Sequence, residues 1–395
     1  MKKAGLTSLL ATLIVILAGL LLGFVILLVS DAEQAWPAFM TILTFGASSM
    51  RNIGDVLLAA TPIILTGLSV AFAFKTGLFN IGASGQFMFG GFVAILIGIE
   101  FTFLPAWLRI IVMIVAAAAA GAAWGAIPGL LKAFFNVHEV ITSIMTNYIG
   151  MFLVNFIIIS TDSIFDIHRT TTAHMPADSN LPNLGLYYIF REPFGAGYRA
   201  SHVNLGIILA VLIAVVVYII IDKTAFGYEL KASGFNKDAA KYAGINQNRN
   251  VVYSFLICGA LAGIGGALNY MNGTGLSMRA DNVLASEGFT GIAVAFLGLT
   301  HPIGVIFSGA FISYLNLGGA RIQPFGFPLE IVEVALSIII YFCAFVLLVK
   351  QGIGKVIFNK SKEPQLVDDD VGGADSGAKS GVDEAKSTDD EGSVK

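Results

Sequence analysis

The sequence predicts an all-α polytopic membrane protein of about ten transmembrane helices, some of them broken or re-entrant. Three observations predict it. Of 395 residues, 56% are hydrophobic and 12% charged, about half the charge of an ordinary soluble domain. Several apolar runs reach the roughly 20 residues that a helix needs to cross a bilayer. Runs such as 204-NLGIILAVLIAVVVYIII also lack the apolar–polar alternation of β-barrel strands.

The elements follow in order. Residues 1–30 hold the first helix, an apolar core at 6–30 that outruns the 7–15 residues of a signal-peptide core. Further spans are expected at 57–74, 82–99, 106–131, 139–160, 204–222, 251–271, 287–299, 302–318 and 328–349. The eighth and ninth are short and interrupted by Gly and Pro, which reads as a broken or re-entrant pair. Residues 31–350 therefore form the transmembrane domain. Spans two to five and seven to ten each contain a Gly-rich interrupted segment, a faint inverted repeat of the sort transporters use.

Charge sets the sidedness. Ten crossings place all fifteen lysines on one side, with only Arg249 of the eight arginines among them. Lysine excess marks cytoplasmic loops, so both termini are expected in the cytoplasm. The largest outer segment, 161–203, carries Pro176, Pro182, Pro193 and several aromatics and is expected to fold as a small cap. Residues 351–395 read as a disordered acidic cytoplasmic tail; 363–395 alone hold ten Asp/Glu and three Lys, a net −7 against +4 for the remainder. Cys258 and Cys343 lie in apolar runs and read as packing residues. The sequence offers no metal pattern, no bound cofactor and no nucleic-acid surface.

Polar groups at membrane depth are expensive and usually face a bundle interior or a cavity. One cluster is Asn80, Ser84 and Gln86, set among glycines and beside Phe87 and Phe89. A second is His138, Glu139, Thr142, Ser143, Asn147 and Tyr148, partly at helical spacing. A third is Glu287, Thr290 and His301. Each residue reads either as interhelical glue or as part of a translocation path. Amides and hydroxyls such as Asn147, Gln86 and Thr290 suit a ligand's polar edges, and Phe87, Phe89 or Tyr148 suit stacking. Glu139 and Glu287 are expected to start their spans near opposite faces, as interfacial caps.

The stretch 231-KASGFNKDAAKYAGINQNRN-250 is different. It predicts a short cytoplasmic helix over 237–243, with Asn236 at its N-cap and Gly244 at its C-cap. Such a helix is too short to stand alone in water. It either packs across its own spans or docks on a soluble partner through Ala239, Ala240 and Ala243.

Here the chain resembles a family. Gly234, Asn236, Ala239, Ala240, Tyr242, Ala243, Gly244 and Ile245 resemble the cytoplasmic coupling motif of ABC-transporter permeases of the branched-chain amino acid/simple-sugar type. The runs 77-GLFNIGASGQFMFGGF and 288-GFTGIAVAFLGLTHPIG resemble that family's Gly-rich motifs. The run 138-HEVITSIMTNYI resembles the subgroup that works with basic-membrane-protein-type lipoproteins and takes up nucleosides. The resemblance implies a multi-pass subunit of a bacterial plasma-membrane importer for nucleosides, or alternatively for ribose-like sugars. Its implied partners are a second related permease, an extracellular substrate-binding lipoprotein and an ATPase gripping residues 231–250. No G-x-x-x-x-G-K-[ST] loop is present, so ATP and Mg would be used by the ATPase and this chain would not be an enzyme.

Two rivals remain from other classes. The tetrapeptide 82-GASG resembles the serine motif of rhomboid intramembrane proteases, with His138 or His301 as candidate base. An ion-coupled secondary transporter would share the hydropathy but not the 231–250 motif.

Overall fold

The computed structural model describes residues 2–195, 197–346 and 348–350. The expected acidic tail lies outside the described residues. Helices α1 (Lys2–Ser30), α2 (Ala35–Thr44), α3 (Met50–Lys75), α4 (Ala83–Glu100), α5 (Ala106–Phe135) and α6 (Glu139–Ser160) come first. The segment after α6 holds strands β1 (Phe165–Asp166) and β2 (Thr171–Thr172), the short α7 (Leu186–Ile189), and strands β3 (Arg191–Phe194) and β4 (Gly197–Ala200). Then follow α8 (Leu205–Lys223), α9 (Ala225–Phe235), α10 (Lys237–Tyr242), α11 (Gln247–Tyr270), α12 (Ser286–Leu297), α13 (Pro302–Gly319) and α14 (Leu329–Ala344).

The chain is a multi-pass all-α membrane protein. Among the described residues eight helices are long and apolar enough to span: α1, α3, α4, α5, α6, α8, α11 and α13. Each of the ten expected spans has a helix, but the expected pair at 287–299 and 302–318 is unequal. Helix α12 has 12 residues, about 18 Å of rise, whereas α13 has 18, about 27 Å. Only the first of the two falls short.

Helix α11 packs against α3, α4 and α5 to form the centre. Close approach there is written in glycine. A Cβ on Gly90 would stand 2.3 Å from the Gly263 Cα, and one on Gly121 2.3 Å from the Gly259 carbonyl oxygen. In hydrocarbon no hydrophobic force draws helices together, so van der Waals contact between bare backbones takes its place. Helix α1 packs on α14 at the edge of this centre.

The expected cap over 161–203 is present as two small antiparallel hairpins, β1 with β2 and β3 with β4. It is fastened to the spans by polar links. Buried Arg109 of α5 pairs with Asp178 at 2.5 Å, Ser201 donates to the Asp55 carboxylate at 2.6 Å, and Arg51 meets Glu192 at 3.3 Å.

Candidate functional site

Helix α3 does not turn directly into α4. The chain leaves α3 at Lys75 and returns through coil 76–82, so that α4 starts well inside the bundle. A closed hydrogen-bond set holds this coil. Asn80 Nδ2 donates to Gln86 Oε1 at 2.8 Å and to Ser69 Oγ at 3.0 Å, and Gln86 Nε2 donates back to Asn80 Oδ1 at 3.1 Å. Asn147 of α6 bridges the break: its Nδ2 donates to the Ile81 carbonyl at 3.0 Å, and its Oδ1 accepts from the Gly85 N–H at 2.9 Å.

A second helix begins at the same level. Ser84 donates to the Ala285 carbonyl at 2.7 Å, and Thr66 donates to the Glu287 carbonyl at 2.8 Å. Gly288 lies so close that a Cβ there would stand 2.4 Å from the Ser84 Cα. The depth follows from counting. Asn147 is eight residues into α6 and Thr66 nine residues from the end of α3, about 12–14 Å of helix in a hydrocarbon layer of roughly 30 Å. The N-termini of α4 and α12 therefore meet near mid-depth. Helix α4 runs to Glu100 at the cap end, where Ser163 donates to its carboxylate, while α12 runs away from the cap to where Phe296 meets Phe74 edge-on at 5.2 Å. The positive dipole ends of the two helices converge at the junction.

Beside it is an open cleft of about 250 Å³, lined by Met88, Asn269, Tyr270, Ser286 and Glu287 and by residues of coil 271–285. Glu287 thus sits at mid-depth in the first turn of a half-length helix, not near the outer interface as the hydropathy map had it. The map assumed that span eight began at the surface. In fact fifteen residues of coil carry the chain down before α12 starts. The signal available in the sequence was an acid beside Gly288 with seven polar residues between Asn272 and Ser286 ahead of it.

The cap holds that descending coil. Thr172 donates its N–H to the Met278 carbonyl at 2.8 Å, and Ala280 donates to the Thr170 carbonyl at 3.0 Å. Lower down, Asn155 Nδ2 donates to the Asp281 carbonyl at 2.6 Å.

The remaining expected path residues divide. Asn80, Ser84, Gln86, Phe87, Ser143 and Asn147 are buried inside the chain, with Thr142 nearly so and bonded to its own helix at the Glu139 carbonyl. Phe89 stacks on Trp124 with ring centres 4.5 Å apart. Thr290 is half-buried one turn into α12, and Tyr148 is exposed on α6. The protease geometry is not formed. Ser84 is committed to a backbone carbonyl, His138 caps α6 by accepting from the Val140 N–H at 3.3 Å, and the His301 ring lies against Tyr218.

At the end of the bundle away from the cap, α9 and α10 form a bent pair. Asn236 Oδ1 accepts from the Ala239 N–H at 3.0 Å. The C-terminus closes with the Ile245 N–H on the Ala240 carbonyl and the Gly244 N–H on Lys241, both at 3.0 Å, with Gly244 at φ +77°. This is a Schellman end, which needs the left-handed residue that glycine supplies. A groove of about 550 Å³ runs between the two helices, lined by Tyr228, Phe235, Ala239, Ala243 and Ile245 among others. Phe235 is 87% and Tyr242 94% exposed. Gly234 is used differently, packed backbone to backbone on Gly77. Ala240 is buried, so a bulky residue there would displace α10 itself.

Comparison with known proteins agrees with this architecture. The family described as branched-chain amino acid transport system, permease component, matches residues 52–349. The guanosine ABC transporter permease protein NupP of Bacillus subtilis is 38% identical over 89% of this chain and 97% of its own length. The nucleoside ABC transporter permease protein NupB of Lactococcus lactis is 35% identical over 90% and 95%. The glucose ABC transporter permease protein TsgB13 of Haloferax volcanii is 31% identical over 83% and 84%. A second guanosine permease protein of the same Bacillus strain, NupQ, is 27% identical over 65% and 78%. No solved structure matches.

Proposed function

The chain belongs to the branched-chain amino acid transport system permease family, and from that premise we propose that it is one permease of an ATP-driven importer of nucleosides. It is a multi-pass transport subunit of an ABC importer and not an enzyme. One observation carries the rest of the reading: two helices running in opposite directions start together at mid-depth beside an open cleft that carries Asn269, Ser286 and Glu287 on its wall. Transporter sites are built at such interrupted helices, because backbone groups freed at the break face the ligand.

In this reading Glu287, Asn269 and Tyr270 meet the ribose hydroxyls and base edge of a nucleoside, with Thr290 further along the path. A carboxylate at membrane depth is a functional group by default, and here it lines the cleft with no ion pair among the described residues. Asn80, Ser84, Gln86 and Asn147 act behind it, fixing the two helix starts. Thr142 and Ser143 lie behind the path inside the bundle, while exposed Tyr148 and half-buried Phe89 belong to the faces that a second permease would complete. The occurrence of two permease relatives in one Bacillus strain supports a paired subunit. Residues 31–350 are the permease domain, and within it 231–250 are the handle for a separate ATPase, which supplies ATP and Mg. The outer cap faces a substrate-binding lipoprotein, in a bacterial plasma membrane with both termini inside.

The test is uptake by the reconstituted complex with guanosine, cytidine, ribose and glucose compared. Nucleoside uptake should require ATP and fall at least tenfold in Glu287→Ala, with folding unchanged by size-exclusion profile. Preference for ribose or glucose moves the substrate to sugars, as the Haloferax relative's name would suggest. Uptake that survives ATP depletion but collapses with an uncoupler overturns the ABC mechanism.

A further inference from the structure

The inner side of the bundle holds a second cavity, of about 330 Å³, which the path just described does not use. That volume is at the lower end of small-molecule sites. The coil after α3, the inner ends of α5 and α6, and the facing surfaces of α9 and α11 wall it, and it opens beside exposed Asn248.

Its lining has unmet hydrogen-bonding capacity. Asn250 is 2% exposed and Ser254 1% exposed. Asn250 Nδ2 donates to Ser233 Oγ at 2.9 Å, but its Oδ1 and the Ser254 Oγ have no hydrogen-bond partner among the described residues. Buried polar atoms are almost always satisfied, and two unsatisfied ones on one cavity wall point to an occupant carrying N–H or O–H groups. Charge narrows the class. The cations and anions of the wall cancel, Lys132 Nζ lying 2.9 Å from the Glu139 carboxylate. The site therefore attracts an uncharged solute rich in donors.

We propose that this cavity is a cytoplasmic site for an uncharged nucleoside, and that its occupancy slows import by fixing the coupling segment. The ligand class rests on the importer reading above. The mechanical link is independent of it. Ser233 belongs to α9, the root of the coupling pair, and is tied to Asn250 of α11, while the next residue, Gly234, is packed on Gly77. A solute hydrogen-bonded to Asn250 and Ser254 and to the Lys132–Glu139 pair would bind α9 and α11 to α5 and α6. Movement of α9 relative to the bundle would then require its release. Solute that accumulates inside would act as a brake on its own entry.

The experiment uses inside-out vesicles carrying the full complex with Ala133→Cys at the cavity wall and Cys258→Ser and Cys343→Ser elsewhere. A membrane-impermeant maleimide is applied with guanosine, ribose or glucose. Guanosine should slow labelling at least fivefold at saturation, glucose should not, and Ser254→Val should remove the protection. A second readout is initial guanosine uptake into right-side-out vesicles, loaded or empty. Loading should reduce it at least threefold, and the loaded-to-empty ratio should return towards one in Ser254→Val. Uptake without protection or braking overturns the inner site and leaves the importer reading standing. Absence of guanosine uptake, with sugar uptake instead, overturns the importer reading first and this ligand assignment with it.

Discussion

Asn147 shows what a single side chain does in this bundle. Its amide satisfies the Gly85 N–H and the Ile81 carbonyl, two backbone groups that the break before α4 would otherwise strand in a dry interior. Leaving each unpaired costs about 1–3 kcal/mol. Asn147→Ala should therefore lower the melting temperature of the purified chain clearly, while the remaining folded protein keeps its substrate preference; an altered preference at unchanged stability would place Asn147 in contact with ligand. Sequence spacing marked Asn147, Gln86 and Asn80 as special, but could not say whether their amides face a ligand or one another. That depends on where coil 76–82 re-enters, which no periodicity records. At the surface, the hydrogen bond from Ser49, with Arg51 beyond it, holds the Glu192 carboxyl below its ordinary value near 4.5. A depressed carboxylate stabilises the fold above its ordinary range and loses that contribution as pH falls through the lower, folded value. Acid below about pH 4.5 should therefore loosen the link between cap and α3, seen as faster proteolysis of 161–203 in wild type than in Glu192→Gln relative to each at neutral pH.

At the scale of elements, helices were legible wherever a long apolar run ended in a polar stop. The expected 139–160 and observed α6 coincide, and the expected 237–243 differs from α10 by one residue. Beside the four-residue α7, two helices escaped. Helix α2 has only ten residues with Pro37 inside it, and α9 mixes two glycines with charges over eleven residues. Helix α9 forms because Thr224 caps the Gly227 N–H at 3.0 Å and Leu230 is buried beneath it, neither of which hydropathy can report. The bent pair also decides how docking should be probed. Ala243→Trp, on the exposed groove wall, should reduce uptake at least tenfold while ATP hydrolysis and membrane insertion persist; normal uptake would count against a partner there. For the junction, Gly288→Val should abolish uptake because its side chain would meet Ser84 backbone, and full uptake would show the two helix starts free to separate.

The whole molecule was legible in outline as a helical bundle with a folded segment over 161–203 and a short helix after Asn236. Fold class and the order of spans came from composition and run length. The cleft did not, because it exists only where two segments distant in sequence, 76–82 and 271–285, stop being helical at the same depth. Lysine placement makes a claim at this scale that remains sharp. Tyr242→Cys should react with an impermeant maleimide in inside-out but not right-side-out vesicles; the opposite pattern would invert the topology and detach the handle from any cytosolic motor.

The coil that drops from cap to cleft has almost no slack. Asp281 is moored at Asn155 and Ala285 at Ser84, one level with Asn147, and those two moorings differ in height by eight residues of α6, about 12 Å. Four peptide steps reach at most about 14 Å. A pull on the cap that draws Asp281 away by more than the remaining roughly 2 Å must therefore move the head of α12 as well.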